Sequence, residues 1–280
     1  MIKLLLNLIL TLPRGSHLVL RVFATFIPSL KSYELELNIA ENLTINVDLT
    51  ENIFFILLKD GCYQHQITED FIISSLVSKD NTAIDVGASF GWVSLILAES
   101  VGSFGKVHSF EPSSKIFKYL KQISDKRTQI SPHQVAISNE NGEVSFLNEK
   151  SSDLSHISSN VTKNSETIEC KTLDKFVLDN NIISIDFIKV DVEGHDCEVI
   201  EGSLETLKSC SPYLMFEAPL EKQLEKMINL LPPGCAVYSI YNRYPLAVTN
   251  RDRTNNYLAI PSIRSNDVPN FLFEREFLVP

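Results

Sequence analysis

The chain lacks a surplus of positive charge. Its 25 lysines and arginines face 35 acids, a formal net charge of −10 at pH 7. Contact with a nucleic-acid backbone needs clustered Lys and Arg, so no nucleic-acid partner is expected. The one modest basic run, Lys115, Lys118, Lys121, Lys126 and Arg127, has helical spacing and reads as a solvated helix face. Paired cysteine spacing is missing too. Cys62, Cys170, Cys197, Cys210 and Cys235 are odd in number and contain no Cys-x-x-Cys. That pattern argues against a disulfide or zinc framework and for the reduced thiols of a cytoplasmic protein. The apolar stretch Met1 to Leu12 is too short to span a bilayer. Pro13-Arg14-Gly15-Ser16-His17 follows it where a secretory signal would place a small-residue cleavage site. An amphipathic helix packed on the domain is expected there, with peripheral membrane contact or a homodimer interface as alternatives.

What is present is concentrated in one region. Asn81 to Val86 reads as a short buried strand, Gly87-Ala88-Ser89-Phe90-Gly91 as a turn, and Trp92 onward as a helix. Glycines in a strand-to-helix turn let the backbone approach a ligand and expose amide donors. Lys106 to Glu111 is a second strand that ends in a carboxylate. In nucleotide-binding α/β folds an acid about twenty residues past the glycine turn accepts hydrogen bonds from ribose hydroxyls. The order strand, glycine turn, helix, strand and terminal acid points to an adenosine-containing cofactor. No third glycine completes the Gly-x-Gly-x-x-Gly dinucleotide fingerprint. Asp85, which opens the turn, would repel a pyrophosphate and favour a cationic ligand such as S-adenosylmethionine.

Four segments resemble the FkbM family of S-adenosylmethionine-dependent methyltransferases: Asp85 to Gly91, Phe110-Glu111-Pro112, Val135-Ala136-Ile137-Ser138, and Ile188-Lys189-Val190-Asp191-Val192-Glu193-Gly194. They run in order over roughly residues 80 to 218. The resemblance implies methyl transfer, usually to hydroxyl groups, on a small-molecule or saccharide acceptor. It also implies an α/β fold: a doubly wound, Rossmann-like class I sheet of seven strands, the last antiparallel. Two rival readings stay open at this point. One is an NAD-dependent oxidoreductase on a related Rossmann fold, and the other is a member that binds cofactor without catalysis.

The rest of the chain fits that plan. Residues 1–65 are expected to form a helical and hairpin extension, with residues 66–280 as the methyltransferase domain. Tyr33 to Ile39 and Leu43 to Leu49 alternate with period two, as half-buried strands do. A helix is predicted over 69–77, and strands over 106–111, 129–137, 185–191 and 213–218. Helices are predicted over 113–124, 196–208 and 221–231, and two last strands over 236–241 and 256–260. Such alternation builds a parallel sheet. Residues 148–166, rich in Ser, Asn and Thr, read as a long polar loop, either a substrate lid or a disordered insert.

The candidate residues follow from position. Asp85, Gly87, Ala88, Gly91, Glu111 and Ala136 are expected to bind the cofactor, Ala136 as an apolar wall for adenine. Asp191, Glu193 and His195 are the candidate catalytic segment, because Asp191 leaves the carboxyl end of an apolar strand. Methyl transfer needs the acceptor oxygen aligned with the methyl group, and a hydroxyl acceptor needs its proton removed. His195 is the natural base by its pKa, with Asp191 or Glu193 to orient it or hold the acceptor. Family members often carry a small residue where His195 stands. The spacing of these three matches no recognised metal motif, and none is expected to hold a metal. Glu217 is a further candidate for the acceptor cleft, or a structural carboxylate.

Overall fold

The computed structural model describes residues 34–48, 67–147, 156–157, 165–242 and 253–280. These fall into two compact units, 34–48 in one and the remainder in the other. The helix expected from Met1 to Leu12 and most of the 148–166 loop lie outside the described residues. In the smaller unit, β1 (Glu34–Ala40) and β2 (Leu43–Asp48) pair antiparallel around a turn in which Asn42 takes φ 56°. Leu37, Leu43, Ile45 and Val47 share its buried face, the outcome of period-two alternation.

The larger unit follows the chain from α1 (Ile67–Leu76) through β3 (Thr82–Val86), α2 (Trp92–Val101), β4 (Lys106–Phe110), α3 (Ser114–Ser124) and β5 (Ile130–His133). Next come β6 (Ala136–Ile137), β7 (Gly142–Leu147), β8 (His156–Ile157), β9 (Ser165–Lys171), α4 (Leu173–Asp179) and β10 (Phe187–Val190). The chain ends with α5 (Asp196–Glu201), α6 (Leu204–Cys210), β11 (Tyr213–Glu217), α7 (Glu221–Leu230), β12 (Cys235–Tyr241), β13 (Arg253–Pro261), a 3₁₀ turn (Ser262–Asp267), α8 (Phe271–Glu274) and β14 (Leu278–Val279).

The main sheet has the order β14-β12-β13-β11-β10-β3-β4-β5. Strands β5, β4, β3, β10 and β11 are mutually parallel, and β13 enters antiparallel beside β11. This is the doubly wound, Rossmann-like sheet expected, with the antiparallel strand beside the last parallel one. Two-residue β14 adds an eighth strand on the edge of β12. Helices cover both faces of the parallel strands, which bury Asp85, Ser109 and Lys189 among otherwise mostly apolar residues. One face buries Ile84, Val86, Ile188, Val190, Leu214 and Phe216 against Phe176 of α4, Val199 and Ile200 of α5, Leu207 of α6 and Met227 of α7.

Three details differ from the expectation. The strand predicted over 129–137 is cut in two. Pro132 has no amide hydrogen to give a central ladder, and β5 stands at the sheet edge, where that loss is tolerated. Ala136 and Ile137 leave it to pair with β9 in a second, four-stranded sheet of order β6-β9-β7-β8. The helix predicted over 196–208 breaks at Gly202, where a Cβ would stand 2.0 Å from the Ser138 carbonyl oxygen. Helix α4 and strands β7 and β9 were not foreseen. Among the described residues no helix is long and apolar enough to cross a membrane.

Candidate active site

The glycine turn leaves the carboxyl end of β3 and is folded back on itself. The Gly87 and Ala88 amides both donate to the Phe110 carbonyl, at 3.0 and 2.9 Å. Ser89, at φ 52°, donates its amide to Glu111 Oε2 at 2.9 Å, and the Gly91 amide donates to the Ala88 carbonyl at 2.9 Å. Gly87, at φ +79°, is demanded by space as well as conformation. A Cβ there would lie 1.9 Å from the Asp191 carbonyl oxygen. The glycine turn and the loop after β10 are therefore pressed backbone to backbone, and the Asp191 amide donates to the Val86 carbonyl at 3.0 Å.

Glu111 directly follows β4 and is almost fully buried. Its second oxygen, Oε1, accepts from the Ser113 amide at 2.8 Å. Burial pushes its carboxyl up to about 7, against the pull of the Ser113 and Ser89 amides, and Asp85 and Glu166 push the same way. Each oxygen accepts one amide and keeps a second lone pair.

Asp85 is fully buried in β3, where Oδ2 accepts from Ser94 Oγ at 2.6 Å and Oδ1 has no partner. Its register neighbour on β10 is Lys189. The Lys189 side chain is 7% exposed and its Nζ donates to Asp191 Oδ2 at 2.9 Å. Burial opposes the charge on Lys189, but Asp191 and Asp85 outweigh it and hold the ammonium above its ordinary pKa. Burial likewise raises Asp85, with Lys189 pulling it back.

More acids surround this one cation. Asp196 is buried at the start of α5 and is pushed up to about 7 by burial, then by Asp191. Glu217 ends β11, and burial and then Asp191 raise it. Glu69 and Asp70, in the first turn of α1, complete the group. Burial raises both, Asp70 to about 7, and Lys189 acts on each of them.

His195 caps the start of α5. Its Nε2 meets Ser138 Oγ at 2.8 Å, and its Nδ1 lies 3.6 Å from Glu198 Oε2. The expected pairing with Asp191 or Glu193 is not what the structure shows, because the imidazole turns toward the loop after β6. Burial lowers its pKa while Glu198 and other acids oppose that. Glu193 stands at φ 49° in the same loop. Ala136 is buried in the small core of the second sheet with Phe146, Ile168 and Cys170, so its side chain is spent on packing.

Sequence reasoning singled out Asp85, Glu111 and Asp191 but missed Lys189, Glu69, Asp70 and Asp196. A signal for Lys189 was available, a lysine between Ile188 and Val190 in an otherwise apolar strand. Glu69 and Asp70 carry the same pattern as ordinary first-turn helix acids. Among the described residues no group of three His, Cys, Asp or Glu side chains is placed to hold a metal ion.

The site can be set beside known proteins. Hexuronic acid methyltransferase AglP of Haloferax volcanii is 30% identical over 137 residues, 47% of this chain and 53% of the relative. The chain thus spans about half the length of the curated relative it matches. A solved methyltransferase FkbM from Methylobacillus flagellatus superposes with a TM-score of 0.49 at 16% identity, covering 67% of this chain and 47% of that one. An S-adenosylmethionine-dependent O-methyltransferase from Thermotoga maritima gives 0.40 at 12% identity, covering 82% and 86%. Residues 85–235, more than half of the sequence, match the Methyltransferase FkbM domain. That stretch opens at Asp85 and takes in the glycine turn, Glu111 and the Asp191 loop: the chain belongs to the FkbM methyltransferase family.

Proposed function

We propose that the chain is an S-adenosylmethionine-dependent O-methyltransferase that acts on a hydroxyl of a saccharide or other small molecule. The observation that carries the cofactor reading is the inward aim of the glycine turn. The amides of Gly87, Ala88, Ser89 and Gly91 are all used within the protein. They present no row of donors to a pyrophosphate, whereas an NAD site relies on such donors. Carboxylates flank the turn instead, and Asp85 Oδ1 is a buried acceptor without a partner. A ligand with an ammonium, a sulfonium and two ribose hydroxyls fits that donor and acceptor set. Glu111 would hold the ribose, Asp85 would balance the methionyl ammonium, and Gly87, Ala88 and Gly91 would line the passage between them. Ala136 would contribute through its backbone.

Bound there, S-adenosylmethionine supplies a methyl group open to in-line displacement. The chain's own part is alignment and proton removal. Asp191, locked by Lys189 at the carboxyl end of β10, would hold the acceptor hydroxyl, with Glu193 beside it in the loop. His195, whose pKa burial lowers, would take the hydroxyl proton by exchanging its Ser138 partner for the acceptor hydroxyl. The reading is tested by thermal shift with S-adenosylmethionine, S-adenosylhomocysteine and NAD, followed by transfer of a labelled methyl group. Stabilisation by the two sulfur nucleosides and a labelled, base-stable product are expected. Protection by NAD alone, or label recovered only as an alkali-labile ester, would overturn it.

A further inference from the structure

One group of polar side chains beside the proposed site has no task in the account above. Glu69 is 4% exposed, and its Oε1 accepts from Asn256 Nδ2 at 3.0 Å while Oε2 has no partner. Asp70 Oδ2 accepts from Trp92 Nε1 at 2.9 Å while Oδ1 has none. Asn256 is the register partner of Glu217 across β13 and β11. The group therefore closes on the carboxyl ends of β10 and β11, where Asp191 and Lys189 stand. Glu69 and Lys189 are buried. Asp70, Trp92, Asp191, Glu217 and Asn256 are half-buried.

A buried polar atom without a partner is costly, and two carboxylate oxygens in one group share that condition. What would satisfy both is a ligand that brings hydrogen-bond donors. A sugar ring does so with neighbouring hydroxyls, which carboxylates and an amide can receive in pairs. It also brings an apolar C–H face, which an indole ring such as Trp92 can cover. A hexuronate brings a carboxylate instead. That group puts an acceptor where the neutral sugar has a hydroxyl donor, and it adds like charge beside Asp191 and Glu217.

We propose that Glu69, Asp70, Trp92, Glu217 and Asn256 form the acceptor subsite, and that it takes an uncharged sugar ring through its hydroxyls rather than a hexuronate. The proposal rests on the methyltransferase reading and deepens it by naming the acceptor class.

The test uses the whole chain with tritiated S-adenosylmethionine and p-nitrophenyl glycosides of glucose, galactose, mannose, glucuronic acid and galacturonic acid. Calorimetry with S-adenosylhomocysteine runs in parallel. Neutral glycosides should be methylated, with kcat/KM at least about tenfold above the matching uronides, the scale of one lost charge-assisted hydrogen bond. Glu69→Gln and Asp70→Asn keep the contacts to Asn256 and Trp92, so each should raise KM for the neutral glycoside about tenfold while S-adenosylhomocysteine affinity stays within twofold. Equal or faster turnover of uronides overturns the subsite, as does methylation of none of the glycosides by protein that binds S-adenosylhomocysteine. An unchanged KM in both variants overturns it as well. Loss of S-adenosylhomocysteine binding by the unaltered chain would instead strike the methyltransferase reading itself.

Discussion

Glu111 gives the most direct quantitative handle on the proposed cofactor site. Its carboxyl sits at about 7 because burial outweighs the two amide hydrogen bonds it accepts. A ribose diol that donates two hydrogen bonds binds the ionised carboxylate, an acceptor at both oxygens, far more tightly than the protonated acid. Binding is then linked to loss of a proton, and affinity must rise with pH through the value at which Glu111 titrates. With that value near 7, roughly a tenth of the free protein is competent at pH 6 and roughly nine-tenths at pH 8, so affinity should increase about tenfold, or ~1.4 kcal/mol.

The assay is calorimetric titration with S-adenosylhomocysteine at pH 6, 7 and 8, in two buffers of different ionisation enthalpy. At pH 6 the heats should show close to one proton released per ligand bound, falling toward none at pH 8. Glu111→Gln should weaken binding by about 1–3 kcal/mol and flatten the pH dependence. That control separates Glu111 from Asp70 and Asp196, which also sit at about 7. If the unaltered chain binds equally well at pH 6 and 8, or the Gln variant keeps the slope, the ribose assignment of Glu111 is wrong.

Gly87→Ala would force a methyl group to within 1.9 Å of the Asp191 carbonyl oxygen at φ +79°, so urea unfolding should show a loss of about 3 kcal/mol or more. Gly194, at φ +87°, faces open space, and Gly194→Ala should lose only about 1 kcal/mol; equal losses would show that the backbone contact is not what limits Gly87. His195→Ala should lower kcat about 10²–10⁴-fold with S-adenosylhomocysteine affinity unchanged, and rapid-quench turnover on the best acceptor decides whether His195 is the base. Replacing Lys189 by Met should destabilise the fold by about 3–5 kcal/mol at pH 8 by leaving buried carboxylates without a counter-ion, and less at pH 5. The sign follows from the acids around it: burial raises Asp70 and Asp196 to about 7, so at pH 5 both are protonated and no longer need the ammonium. Equal losses at the two pH values, measured by chemical denaturation, would remove the electrostatic account of Lys189.

The parts of the fold legible from sequence were those governed by short-range pattern. The strand, glycine turn, helix and strand from residue 82 to 111 are set by apolar runs, two glycines and a terminal acid within one βαβ unit. The β1–β2 hairpin is set by alternation and by Asn42 in its turn. The second sheet was not legible. Its strands are polar on one side, and the buried side of β9 offers only Ile168 and Cys170 as a signal. The apolar residues at both ends of 129–137 hid the cut between β5 and β6, which Pro132 and an edge position impose.

Site contacts were legible only where the partners share a segment. Lys189 and Asp191 are two residues apart and could have been paired. The Ser138 hydroxyl that meets His195 comes from 57 residues upstream, and the Asn256 amide that meets Glu69 lies 187 residues away. No periodicity encodes such distances. They follow from sheet order, which brings β13 beside β11 and sets the loop after β6 against α5.

The same sheet order explains why the acids were individually ordinary and collectively unusual. Asp85 reads as a turn residue, and Glu69, Asp70 and Asp196 as helix-start acids. Parallel strands β3 and β10 align Asp85 with Lys189, and Asp191 follows Lys189 by two residues onto the same side of the chain. Helix α1 then adds two carboxylates from a distant stretch of sequence. One ammonium cannot neutralise six acids, so burial forces several of them toward protonation, as the raised values of Asp70 and Asp196 show. A cationic sulfur nucleoside would supply the missing positive charge, and ring hydroxyls of an acceptor would supply the missing donors. On this view the chemistry of both ligands is written in what the fold leaves unsatisfied.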